Sequence, residues 1–143
     1  MNFGLIGVGA ALAFAAIGSA LGMGAAGMAA VGAWKKCFAQ NKPAPFLLVA
    51  FVGAPLTQTI YGFILMNSLR SAAAQADGAM LLGAGILGGI AMGFSAWYQG
   101  KAGASASDAL AETGKGFGSY LMVLGLIETV ALFVMVFLLG AIG

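Results

Sequence analysis

Hydrophobic and polar positions divide this chain on a coarse scale. Four long apolar runs, residues 3–34, 45–69, 79–106 and 116–142, are separated by three short polar stretches. Those stretches read KKCFAQNKPA (35–44), RSAAAQADG (70–78) and SDALAETGK (107–115). Each run reaches the roughly 20 residues that a helix needs to cross a bilayer's hydrocarbon. The pattern predicts an all-α membrane protein of four transmembrane helices, arranged as two helical hairpins over residues 1–75 and 76–143. The first run starts at Met1-Asn2-Phe3 without a positive charge and continues far beyond the core of a secretory signal. It is therefore expected to be a retained helix.

The two hairpins are expected to be tandem repeats. Residues 18–22 (GSALG) answer 96–100 (AWYQG), and Leu56-Thr57 answers Glu128-Thr129. A duplicated hairpin, both copies pointing the same way across the membrane, accounts for that spacing. Small residues recur every three or four positions in runs one and three: Gly7, Ala11, Ala15, Gly18 and Gly22, then Gly85, Gly89, Gly93, Ala96 and Gly100. Such stripes let helix backbones approach closely in lipid. They suit packing inside one four-helix bundle, or an inner circle of helices shared by identical protomers. Runs two and four hold most of the Phe, Leu, Ile and Val, as lipid-facing helices do.

Composition narrows the class. The 143 residues are 62% hydrophobic and 7% charged, with mean hydropathy +1.03, too few charges to cover a soluble domain of this size. Net charge is +2, and Lys35-Lys36 is the one basic pair, so no nucleic-acid partner is implied. With no His and a single Cys37, expected to be a plain loop thiol, disulfides and the usual transition-metal constellations are excluded. No phosphate-binding glycine loop follows a strand and no Ser/His/Asp set exists, so the chain is expected not to be catalytic by itself. Lys35, Lys36, Lys42, Lys101 and Lys115 lie near the first and third connections and only Arg70 near the second. The positive-inside rule then places those two connections in the cytoplasm and both termini outside.

One carboxylate breaks the fourth run. Glu128 lies on the order of 20 Å from either end of its helix, where an ionisable group is expensive unless protonated, paired or holding a cation. Few other side chains in the runs can answer it. Run two has Thr57, Gln58, Thr59 and Tyr61, of which Thr57, Gln58 and Tyr61 can share one helical face. Pro55 leaves a carbonyl one turn earlier without its helical partner. Run three has Gln99. The midpoint between Gln99 and Glu128 falls at Thr113-Gly114 in TGKG, so a tight turn there sets the two residues at equal height. Both helices must then protrude on the cytoplasmic side. Together these groups form a hard-oxygen set around one negative charge, which suits a monovalent cation, Na+ by preference. Each polar residue also has a plain structural role open to it: Thr57 bonding to its own helix, Tyr61 anchoring at an interface, Gln58 bridging helices. Trp34, Trp97, Tyr98 and Tyr120 read as interfacial or packing aromatics, and Lys101 as a snorkelling lysine with no assigned partner.

Taken together, GSALGMGAAGMAAVGAWKK, PLTQTIYGFILMN, FSAWYQGKAGASA and LIETVALFV resemble the membrane-rotor proteolipid (c or K subunit) of V-type ATPases in its bacterial, four-helix form. The resemblance implies a closed oligomeric ring in which every copy carries one ion past a stationary membrane protein bearing an arginine. Central-stalk proteins would contact the cytoplasmic loops, and ATP would be hydrolysed elsewhere. It further implies a bacterial plasma membrane as the location. Glu128 matches the family's carboxylate, and Thr57, Gln58, Tyr61 and Gln99 match positions that sodium-dependent members use. Ala54 would add its main-chain carbonyl, and Tyr61 would hydrogen-bond Glu128 and keep the site closed. The chain differs from some of those relatives in Leu56 before the Thr and Thr59 after the Gln. One carboxylate per four helices implies few ions per turn, favouring pumping over synthesis. The rival readings are the same rotor carrying H+, and a small secondary transporter built on a single membrane carboxylate.

Overall fold

The computed structural model describes residues 3–142. The chain forms helices α1 (Gly4–Ala39), α2 (Leu48–Ala72), α3 (Gly78–Thr113) and α4 (Phe117–Ile142), all four long and apolar enough to cross a membrane. Helix α2 is α-helical over Leu48–Gly53 and Thr57–Ala72 and tightens into a 3-10 turn at Ala54–Leu56. Every predicted run is found. Helices α1 and α3 each have 36 residues and, at about 1.5 Å per residue, far exceed a hydrocarbon layer of about 30 Å.

The two long helices run past their expected ends. Lys35, Lys36 and Cys37 belong to α1, and Asp108 and Glu112 belong to α3. The extensions persist because they pack on each other. Ala30, Ala33, Ala106 and Leu110 share a buried cluster with Leu48, Phe51 and Leu124, and the Lys36 ammonium donates to the Glu112 carboxylate. Cys37 is accordingly a buried helical residue beside the Ala111 carbonyl, at 3.9 Å, and not a loop thiol. The Trp34 indole donates to the Pro45 carbonyl at 2.7 Å and fastens the first connection to the end of α1. Lys101 lies over its own helix's aromatics, 4.3 Å from the Trp97 ring centre and 5.0 Å from that of Tyr98. That cation–π contact is the partner it lacks in the sequence.

Helices α1 and α3 lie side by side and parallel. Gly7 faces Gly85, Gly18 faces Gly93 and Gly22 faces Gly100, backbone against backbone. The small-residue stripes therefore meet each other within a single chain. A methyl group on Gly100 would overlap the Gly22 carbonyl, so only glycine permits this approach. Helix α2 packs on α1 where Gly62 meets Ala11 and Ala15, and α4 closes the bundle against α3 and α2. One apolar cluster holds Val8, Ala15, Leu65, Leu69, Leu81, Met92 and Met135; a second holds Phe51 and its neighbours. Ser19, Gln58, Ser95 and Gln99 are buried polar residues. The outward faces of α2 and α4, with Ile60, Phe63, Leu126, Val130, Phe133 and Phe137, are exposed and apolar, suited to lipid or to further protein.

The α3–α4 connection turns where expected. Gly114 caps α3 in the left-handed region at φ 65°, its N–H donating to the Leu110 carbonyl at 2.8 Å. Gly100→Val is expected to destabilise the bundle by about 3 kcal/mol through overpacking. Gly118→Ala, with nothing within 4 Å of the added carbon, should be neutral. Thermal denaturation of the two variants in detergent checks the pair.

Candidate functional site

Local backbone chemistry sets up α2. Pro55 has no N–H, so the α-helical bond back to Phe51 cannot form. The helix tightens over Ala54–Leu56, and the Thr57 N–H reaches the Ala54 carbonyl. The Phe51 carbonyl faces Gly103, where an added side-chain carbon would stand 2.9 Å from it. The α-helix resumes at Thr57, which puts Gln58 and Tyr61 on the face turned to α3 and α4. On α3, Ser95 and Gln99 are four residues apart and share a face. On α4, Glu128 and the Leu124 carbonyl stand one turn apart.

These groups form a continuous hydrogen-bonded chain. The Tyr61 hydroxyl donates to Glu128 Oε1 at 2.8 Å. Gln99 Nε2 donates to Glu128 Oε2 at 3.0 Å and to the Leu124 carbonyl at 3.0 Å. Gln58 Nε2 donates to Gln99 Oε1 at 2.9 Å and, at a longer 3.4 Å, to Ser95 Oγ. Ser95 in turn donates to the Ile127 carbonyl at 2.8 Å. The Thr57 hydroxyl lies 3.0 Å from the Ala54 carbonyl and 3.1 Å from Gln58 Oε1. Its one proton serves a single acceptor at a time. Gln58 and Gln99 are fully buried, whereas Glu128 and Tyr61 are partly exposed on the outer side of the bundle.

All six residues singled out in the sequence belong to this chain, in different ranks. Tyr61 and Gln99 touch Glu128 directly. Gln58 reaches it through Gln99, Thr57 through Gln58, and the Ala54 carbonyl accepts from Thr57. The plain structural roles coexist with the cluster: Thr57 does bond to its own helix, and Gln58 does bridge α2 and α3. Tyr61 points its hydroxyl at the carboxylate. Ser95 and the carbonyls of Leu124 and Ile127 were missed. Ser95 carried a signal, since it lies one turn before Gln99 on the same face. The Leu124 and Ile127 carbonyls carried none, because main-chain oxygens are invisible to residue type. Ser19 is also buried, and its hydroxyl has no hydrogen-bond partner among the described residues.

Among the described residues no lysine or arginine pairs with Glu128, and no cluster of three His, Cys, Asp or Glu side chains exists. Charge on Glu128 is thus answered by two neutral donors, a charge-assisted arrangement stronger than ordinary hydrogen bonds. It falls short of a full counter-charge.

Two comparisons with known proteins bear on the site. A search of curated proteins returns no match. Residues 82–139, from the start of α3 nearly to the end of α4 and including Ser95, Gln99 and Glu128, match the family model for the C subunit of ATP synthase. The second hairpin of this chain is therefore similar to the C subunit of ATP synthase.

Proposed function

We propose that this chain is an ion-carrying member of the rotor ring of a rotary ATPase of V type, and that it binds Na+ at Glu128. The observation that carries the reading is the mid-helix carboxylate on α4, gripped at both oxygens by donors from two other helices. The family match over the second hairpin supports the rotor role. The first hairpin supplies Thr57, Gln58 and Tyr61 but no second carboxylate, which argues for one ion per four helices and for a four-helix protomer.

In this reading identical copies close a ring in the bilayer and turn against a stationary membrane protein, the stator. Glu128 is reached from the outer side, where Leu126, Val130 and Phe133 are exposed beside it. An arginine on the stator would neutralise Glu128 when its ion leaves, sparing a bare charge in a low-dielectric medium. Tyr61 would hold the carboxylate in place between such encounters. Sodium would draw its oxygens from Glu128, Gln99, Gln58, Thr57 and the Ala54 carbonyl, a donor set fit for a hard cation. The extended cytoplasmic ends of α1 and α3, clasped by Lys36 and Glu112, would meet central-stalk proteins. ATP would be hydrolysed on other chains, in a bacterial plasma membrane with both termini outside.

A second reading keeps the rotor and makes the cargo H+. The amide nitrogen of Gln99, not its oxygen, faces Glu128, an arrangement that serves a carboxyl group without any metal. Modification of Glu128 by a hydrophobic carbodiimide separates the two. Na+ is expected to protect and K+ not, and protection should weaken as pH falls, because the proton competes for the same oxygen. Equal behaviour of the two salts favours the proton. Glu128→Gln is expected to abolish ion transport by the reconstituted complex while ring assembly survives; transport at the wild-type rate contradicts the reading. Gln99→Ala should weaken sodium protection at least about tenfold, the loss of one ligand to a charge. Unchanged sodium dependence points to a proton-only site.

A further inference from the structure

In the hydrogen-bonded chain both carboxamides point the same way. Gln58 turns its nitrogen to Gln99, and Gln99 turns its nitrogen to Glu128 and Leu124. An amide nitrogen carries two protons and no acceptor, so this orientation presents the positive end of each dipole towards any incoming cation. It suits a carboxylate, and it suits a protonated one equally: a proton on Oε1 needs only the Tyr61 phenol to change from donor to acceptor. It does not suit sodium.

A half-turn of the Gln99 amide changes that. The amide oxygen would take the place now held by Nε2, 3.0 Å from Glu128 Oε2 and 3.0 Å from the Leu124 carbonyl. Three oxygens would then crowd together, repelling one another unless a cation sits among them. Gln99 cannot turn alone, because its nitrogen would then face the Gln58 nitrogen across 2.9 Å. Gln58 must turn with it. That second turn brings the Gln58 nitrogen to Thr57 Oγ1, which can accept once its own proton moves to the Ala54 carbonyl. Both Thr57 contacts already lie within reach, at 3.1 and 3.0 Å.

Ser95 opposes the turn. Its proton is engaged by the Ile127 carbonyl at 2.8 Å, so the oxygen it presents to Gln58 is an acceptor. Held so, it favours the Gln58 nitrogen and repels the Gln58 oxygen, and turning to donate to that oxygen would give up the 2.8 Å bond to Ile127. Ser95 is nine-tenths buried, at 7% exposure, and among the described residues its hydrogen bonds go to Gln58 and Ile127, not to Glu128. We propose that Ser95 is a positioning residue that latches the Gln58–Gln99 amide pair with its nitrogens towards Glu128. Sodium enters by reversing both amides together against that latch, with the Leu124 carbonyl as an added ligand. The inference rests on the sodium reading of the site. It gives Ser95 the job of setting how readily sodium displaces the proton.

The test has an unusual sign. Loss of a hydrogen bond that merely held the site together would loosen sodium. Loss of the latch tightens it. In intact rings, Ser95→Ala is expected to lower the sodium concentration that half-protects Glu128 from carbodiimide by about fivefold, the worth of one neutral hydrogen bond. Ser95→Thr, which keeps the hydroxyl, should return to the wild-type value. A sodium requirement unchanged or raised in Ser95→Ala overturns the inference while leaving the sodium site standing. Absence of sodium protection in the wild-type ring overturns both. A second measurement needs no variant. With side-chain 13C-labelled glutamine, adding sodium to wild-type rings should shift glutamine carbonyl bands in the infrared difference spectrum, as both amide oxygens exchange partners. Sodium-induced protection without such a shift overturns the reversal.

Discussion

A carboxylate in the interior of an apolar helix long enough to cross a membrane is the constraint from which the rest of this molecule follows. Hydrocarbon cannot solvate it, so every compensating group must come from the protein or from an ion. Here α2 and α3 each send a donor to one oxygen of Glu128. Behind those donors a second layer, Gln58, Ser95 and Thr57, orients the first. The layer is finite and entirely uncharged. In the proposed function, that lets the site change its charge by taking or losing one small cation.

Such a layer demands stiff support. A shift of a few tenths of an ångström between α2, α3 and α4 would weaken the donor chain, since most of its links are close to 3 Å. Support comes from glycine. With the α1 and α3 backbones in contact at three levels, dispersion acts between main chains with no flexible side chains between them. Pro55 contributes differently. By forcing a 3-10 turn it frees the chain from regular geometry just before Thr57 and Gln58, and in that turn the Ala54 carbonyl accepts from both the N–H and the hydroxyl of Thr57.

Much of this was legible in the residues, and for definable reasons. Bilayer thickness fixes run length, so all four helices could be read from hydropathy alone. Equal depth of Gln99 and Glu128 followed from counting to a turn at Gly114, because helix rise is constant and glycine marks the left-handed cap. Helix ends were less legible. The expected stops at residues 34 and 106 followed polarity, whereas α1 and α3 continue because each extension finds the other, through Ala33, Cys37, Leu110 and the Lys36–Glu112 pair. Contacts of that kind are tertiary and leave no local trace. Cys37 was misplaced for the same reason. Ser95 escaped notice because a serine in a small-residue helix looks like packing until its neighbours on two other helices are known. The orientation of an amide, nitrogen or oxygen towards the acid, belongs to the network and cannot be read from a residue name.

The central claim is that Glu128 and its oxygen neighbours carry one sodium ion reversibly. Equilibrium binding of radioactive sodium to the purified membrane assembly tests it most directly. The account predicts saturable binding of one ion per chain, displaced as protons are added. Failure to find saturable sodium at any pH would contradict it.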